Sequence, residues 1–314
     1  MRLLALTPNP AIDKTVLLDR LEPGQVHRSG EVEAVPGGKG NNVARIAKAL
    51  GARVRVGGVL AGHAGRWMEQ AYKAEGFGDG VFAWAPTGET RTCVIMVDRP
   101  DGRTGRATVL NEEGPRVGDA VADQLVAAVL DTLEYMDWVS LSGSLPPGSD
   151  PKVWAGLVRR VREAGVPVAV DCSGPWLKAA VAAGPSLIRI NGEEAAGLLG
   201  EPVVTMRDAL RAAETLQTGT GGVVVSLGAD GAAAATDRGR WVVQVPAVEV
   251  VSPIGGGDVM MAGILCSLMG GADFPEAVRR GAALATAKCL IAGSSRFRPD
   301  DYERLLPQTH VREA

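Results

Sequence analysis

The sequence predicts an α/β fold: a mainly parallel sheet covered by helices on both faces, with a small β lid over one edge. Three observations carry this expectation. Short apolar runs alternate with amphipathic stretches of 10–17 residues, the pattern of right-handed βαβ units. Segments 14–36 and 88–111 leave that rhythm and read as strands and turns. Polar residues recur just after the apolar runs, where a parallel sheet holds its ligands.

Taken in order, Leu3–Leu6 reads as a strand. Asn41–Leu50 reads as a helix, with Val43, Ile46, Ala47 and Leu50 on one face. Val54–Val59 is a strand, and Ala64–Ala74 a helix that runs out near Gly76. Val117–Leu133 is helical and precedes a strand at Trp138–Leu141. Lys152–Ala164 is helical, and Val166–Val170 is a strand ending in Asp171. Leu187–Ile190 is a strand that runs into Asn191, and a helix begins there. Thr205–Gln217 is helical, Val223–Leu227 is a buried strand, and Gly231–Ala235 starts another. Val259–Met269 and Pro275–Ile291 are two helices. In the two lid segments, Pro23-Gly24, Ser29-Gly30 and Pro100–Gly102 mark turns, and Cys93, Ile95 and Val97 alternate. The two segments are expected to meet as a small antiparallel sheet. The division is then a core of residues 1–13, 37–87 and 112–314 and a lid of residues 14–36 and 88–111.

Composition excludes several classes. The chain has 314 residues, 46% hydrophobic and 22% charged, and a net charge of −3. With no long run of one sign, no nucleic-acid surface is indicated. Around Met260–Leu268 the apolar stretch is shorter than the ~18 residues of a membrane helix. The Leu3–Leu6 run is too short for a signal-peptide core. Cys93, Cys172, Cys266 and Cys289 form no Cys-x-x-Cys pair, so reduced thiols and a cytoplasmic setting are expected. Glycine is in excess, 41 residues, about 13% against a usual ~7%.

Part of that excess lies in two clusters. Pro36-Gly37-Gly38-Lys39-Gly40-Asn41-Asn42 opens a helix; glycines there let the backbone approach a ligand, and Asn41 or Asn42 can cap or reach it. Lys39 is conspicuous because lysine is scarce, 7 residues against 26 arginines. The spacing is neither a Walker P-loop nor a dinucleotide fingerprint, and the string also suits an ordinary tight turn. Ile254-Gly255-Gly256-Gly257-Asp258 opens the second helix. Free amides there can form an anion hole for a transferring phosphoryl group, and an ionised Asp258 suits a general base. A simple helix cap would account equally well for Asp258. The strand-end residues are Asp13, Ser142-Gly143-Ser144, Asn191 with Glu194, and Ser226-Leu227-Gly228.

With these residues in view, the sequence resembles the PfkB (ribokinase-like) carbohydrate kinases, most of all the 1-phosphofructokinase and tagatose-6-phosphate kinase branch. The resemblance runs nearly end to end, through Thr7–Asp13, Gly37–Ala44, Gly88–Arg91, Ser142–Pro146, Asn191-x-x-Glu194, Ser226–Ala229 and the loop before Asp258. It implies a ribokinase-like three-layer α/β/α sandwich with a β lid, and ATP- and Mg2+-dependent phosphorylation of a sugar hydroxyl. It also implies Asp258 as base and Gly255, Gly256 and Gly257 as anion hole. Asp13, Gly38, Lys39, Asn42 and Ser142 would serve the sugar. Arg28 and Arg91 would be lid residues near a phosphate the acceptor already carries. Arg189, Asn191, Ser226 and Gly228 would serve the nucleotide, and Glu194 the Mg2+ indirectly. A homodimer through the lid is a further implication.

Arginine forks suit phosphate oxygens, and the lid segments also supply Arg103 and Arg106. Five positions depart from the family pattern: Arg189-Ile190-Asn191 replaces Lys-Pro-Asn, Pro253 replaces a small or hydroxyl residue, Gly256 replaces Ala, and His27 replaces Asn. The expected reaction is fructose 1-phosphate to fructose 1,6-bisphosphate. Tagatose 6-phosphate or fructose 6-phosphate as acceptor, a ribokinase-type kinase for an unphosphorylated sugar or nucleoside, and a non-catalytic sugar- or nucleotide-binding regulator are the alternatives.

Overall fold

The computed structural model describes residues 1–98, 107–291, 293 and 295–314. The first strand, β1 (Arg2–Thr7), alternates its side chains between two cores: Leu4 and Leu6 face one, Leu3 and Ala5 the other. Both are fully buried, which is why the run reads as continuously apolar. Next to β1 lie β4 (Arg53–Leu60) and, beyond it, β5 (Val81–Trp84). On its other side follow β8 (Trp138–Ser142), β9 (Val168–Asp171), β10 (Leu187–Asn191) and β11 (Gly222–Ser226). These seven strands are parallel. β12 (Ala232–Thr236), β13 (Gly239–Gln244) and β14 (His310–Glu313) extend the sheet antiparallel to ten strands.

One face is covered by α3 (Asp119–Leu130), α4 (Pro151–Glu163), α5 (Pro175–Ala182), α6 (Gly192–Leu199) and α7 (Met206–Gln217). Its core includes Leu125, Trp154 and Trp176. α1 (Lys39–Ala49), α2 (Gly62–Ala74), α8 (Gly256–Met269) and α9 (Phe274–Cys289) cover the other around Ile46, Met68 and Ile264. α10 (Pro299–Leu305) leads to β14. The three-layer sandwich is therefore as expected.

Local chemistry sets several boundaries. Asp150 caps α4, accepting from the Lys152 amide at 2.8 Å, with Pro151 in the first turn. Thr205 and Asp208 close a capping box on α7. The helix expected over Val117–Leu133 is shorter, because the Val117 amide bonds the Pro147 carbonyl at 2.8 Å instead of entering a helix.

The lid is a separate sheet, ordered β3 (Val32–Gly37), β2 (Ala11–Leu18), β6 (Arg91–Asp98), β7 (Ala107–Asn111). Its central pair, β2 and β6, is parallel and only its outer pairs are antiparallel. The expected all-antiparallel sheet is thus corrected to a mixed one: the two lid segments each enter from the core in the same direction. The turn expected at Pro100–Gly102, with Arg103 and Arg106, lies outside the described residues.

Gly40 shows how tightly α1 is seated on β1. A Cβ there would lie 2.5 Å from the Leu6 carbonyl oxygen, a backbone atom that cannot swing away. Gly40→Ala is expected to cost about 1–3 kcal/mol by forcing α1 off the strand, measured by denaturant unfolding.

Candidate active site

Strand order places the site. From β1 the chain builds outward through β4 and β5 on one side, then returns to β8 and builds through β11 on the other. The crevice of such a sheet opens at that reversal, beyond the carboxyl ends of the strands. Those ends carry Thr7, Ser142, Asp171, Asn191 and Ser226. Ser142 is in register with Asp171, and Asn191 with Ser226.

Asp258 sits in the first turn of α8, directly after the glycine loop, and is 6% exposed. Gly255 takes a left-handed φ of 80°, which turns the chain into the helix. The Gly256 amide donates to the Pro253 carbonyl at 3.1 Å. The amides of Gly257 and Asp258 start the helix, where no intrahelical acceptor exists. Asn42, on α1, donates its Nδ2 to Asp258 Oδ2 at 2.7 Å. Burial first, and then the charge of Asp171, push the Asp258 carboxyl up to about 7; Asn42, Lys39 and Arg189 pull the other way. Above that pH it is an ionised base held at a helix N-terminus.

Asp171 organises the surrounding cations. Lys39 Nζ donates to Asp171 Oδ1 at 2.8 Å and lies 3.4 Å from Glu194 Oε1. Arg189 Nη1 donates to Asp171 Oδ2 at 3.1 Å, and Nη2 to Ser226 Oγ at 2.6 Å. Burial alone would raise the Asp171 pKa; Lys39 and Arg189 outweigh it and hold the carboxyl below its usual range. Burial also opposes the charge on Lys39, yet Asp171 and Glu194 keep its pKa above the ordinary lysine value. Gly257 makes room for this cluster, since a Cβ there would lie 2.2 Å from Arg189 Nη1. Arg189 Nε is buried with no partner among the described residues.

Asn191 and Glu194 cap α6 reciprocally, each side chain accepting the other's amide at 2.8 and 2.9 Å. Glu194 thus reaches Lys39 while fixed to its own helix. Ser142 is fully buried with its Oγ 3.1 Å from Ser140 Oγ. Gly228, with φ of 60°, starts the turn after β11. Among the described residues no cluster of three His, Cys, Asp or Glu side chains could cage a metal. A lone carboxylate beside phosphate-binding groups does fit Mg2+, which is held by one or two carboxylates plus substrate phosphates.

On the lid side, Asp13 lies over Gly37, where a Cβ would fall 2.0 Å from its Cγ. Burial raises the Asp13 pKa against the pull of Arg45 and Arg91. Asp13 pairs with Cys93 and Ala11 with Arg91 across β2 and β6, so Asp13 and Arg91 share one face of the lid. Arg91 Nε donates to the Asn9 carbonyl at 3.2 Å and Nη1 to the Glu112 carbonyl at 3.4 Å. Gly38, φ 102°, caps α1 beside Thr7. Arg28 is exposed in the loop between β2 and β3, and His27 in that loop is held by the Glu22 backbone.

The structure therefore brings Asp258, Asn42, Lys39, Glu194, Arg189 and Ser226 into one connected cluster. Asp171, which links Lys39 to Arg189 in that cluster, and Lys288, which bonds the segment before the glycine loop, escaped the sequence reading as site residues. Asp171 was visible only as the polar end of an apolar run. Lys288, at the end of α9, is fully buried and donates to the Ser252 carbonyl at 2.7 Å. Its only signal is a lysine inside an apolar helix of a lysine-poor chain.

The fold is similar to solved sugar-phosphate kinases over essentially the whole chain. A Thermotoga maritima protein described as a possible 1-phosphofructokinase is 25% identical, with a TM-score of 0.88 and 100% of both chains covered. Escherichia coli phosphofructokinase-2 in complex with fructose-6-phosphate is 26% identical, TM-score 0.84, with 98% of each chain covered. The same enzyme in complex with potassium has a TM-score of 0.88 at 24% identity, again covering 98% of each chain. Residues 6–301 match the model of the pfkB family of carbohydrate kinases, and the chain belongs to that family.

Proposed function

We propose that this kinase phosphorylates a hydroxyl of a ketohexose phosphate, with fructose 1-phosphate, giving fructose 1,6-bisphosphate, as its acceptor. The observation that carries the reading is the buried Asp258 carboxylate, fixed by Asn42 at 2.7 Å behind the glycine loop. A base whose pKa lies near the working pH is suited to take a proton from an alcohol. ATP would supply the phosphoryl group, and Mg2+ would neutralise its phosphate charge. Glu194 and Asn191 would hold the metal and phosphate side, and Ser226 and Gly228 the nucleotide.

The remaining steps belong to the chain itself. Asp13, Gly38 and Lys39 position the sugar, and Asp258 accepts the proton of its hydroxyl. The amides of Gly257 and Asp258 donate to oxygens of the group in transfer. The lid sheet of β2, β3, β6 and β7 would cover the site and exclude water, which protects ATP from hydrolysis. β7, an edge strand exposed along its length, offers an edge for a lid-to-lid dimer.

Arg91 would bind the acceptor's own phosphate, with Arg28 closing on it. Arg91→Ala is expected to raise KM for phosphorylated acceptors about 10–100-fold while kcat stays within about threefold. The test is a coupled ADP-release assay over fructose 1-phosphate, tagatose 6-phosphate, fructose 6-phosphate and unphosphorylated sugars. Turnover of fructose 1-phosphate with the highest kcat/KM supports the reading. Preference for another ketose phosphate reassigns the acceptor, and preference for a free sugar, or no effect of Arg91→Ala, removes the phosphate site.

A further inference from the structure

Lys288 is the buried cation that the reaction described above does not use. It lies in the last turn of α9 with no exposed surface. Its Nζ donates to the Ser252 carbonyl at 2.7 Å. The neighbouring Cys289 carbonyl accepts from the Val251 and Ser252 amides, at 2.8 and 3.2 Å. Three hydrogen bonds thus stitch the end of α9 to the segment that enters Gly255–Gly257. α9 itself is rigid against α8, because Gly281 lets the two backbones meet: a Cβ there would lie 2.7 Å from the Met260 carbonyl oxygen.

Burying an ammonium is costly unless something else repays it. Lys288 has no carboxylate in ion-pair distance among the described residues; its hydrogen-bond partner is a carbonyl oxygen. Burial lowers its pKa, while Cys289 and the Asp258 carboxylate favour the charged form. Ser252 is three residues before Gly255, and Asp258 is three after it. Through Ser252 the ammonium is tied to the segment that enters the loop, where positive charge strengthens the pull of the loop amides on an anion.

We propose that Lys288 is a built-in cation for the glycine loop: its ammonium fixes the Ser252 carbonyl and adds positive charge near the Gly257 and Asp258 amides, in place of a dissociable monovalent cation. Lys288 is a positioning residue, since it touches the loop and not the substrates. This rests on the kinase reading of the site.

The test begins with the wild-type enzyme, assayed in tetramethylammonium chloride and in potassium chloride at equal ionic strength. Activity is expected to differ by less than about twofold, and potassium activation of about tenfold or more overturns the proposal. Lys288→Met is expected to lower kcat about tenfold or more with acceptor KM within about threefold, and Lys288→Arg to recover part of the loss. In Lys288→Ala, potassium or ammonium, but not tetramethylammonium, restores activity about threefold or more. Wild-type kcat in Lys288→Met overturns the proposal. If Lys288→Met fails to fold, the salt response of the wild type decides alone. If the wild type phosphorylates no acceptor in any salt, the kinase-substrate reading fails instead. Calorimetric binding of MgATP then carries the test: about tenfold weaker in Lys288→Met supports it, and equal affinity overturns it.

Discussion

Asp258→Asn is expected to lower kcat about a thousandfold while leaving the fold intact. Asparagine keeps the shape of the side chain but cannot accept a proton from an alcohol, and a positioned general base contributes about 10²–10⁴ in rate. Stability should move the other way. The folded state holds the Asp258 proton up to about pH 7, whereas the unfolded chain releases it near the ordinary value of 3.8. Between those values the folded state binds more protons, so wild-type stability falls as pH rises, and above pH 7 the full cost of the buried charge is present. Asparagine carries no such cost. Thermal melts should therefore show Asp258→Asn more stable than wild type at pH 8, with the gap closing below about pH 4.

Lys39→Met is expected to cost about 3 kcal/mol of folding stability at pH 7–8. It strips Asp171, whose side chain is 1% exposed, of its 2.8 Å partner and leaves only the Arg189 contact. The loss is smaller at low pH: the favourable pairing of Asp171 is present above the ordinary aspartate pKa and disappears as pH falls through the lowered folded value. Lys39→Met/Asp171→Asn should recover only part of the stability, because it removes the under-paired carboxylate but leaves the buried Arg189 guanidinium without its Asp171 partner. Without Lys39 the Asp258 pKa rises further, so the acid limb of kcat/KM shifts to higher pH. Urea unfolding of the two variants beside wild type checks the first claim, and a pH–rate profile the second.

Some of this was legible in the sequence because it is local. The two glycine clusters, each opening a helix, announced backbone-lined surfaces, and the strand-end residues lined up once the strands proved parallel. The missing parts are non-local or have weak periodicity. Asn42 and Asp258 are 216 residues apart, and Lys39 and Asp171 are 132 apart, so no motif joins them. α5 is an eight-residue helix too short to show a period, and β14 is a strand of only four residues. The parallel pairing of β2 with β6 depends on where each segment leaves the core, which alternation does not encode.

The most direct measurement of the role given to Asp258 is the pH dependence of kcat/KM for phosphoryl transfer to the preferred sugar phosphate, in wild type and in Asp258→Asn. One ionisation near pH 7 should govern the acid limb of the wild type and be missing from the residual activity of the variant. An acid limb unchanged in Asp258→Asn, or a variant as active as wild type, contradicts Asp258 as the base.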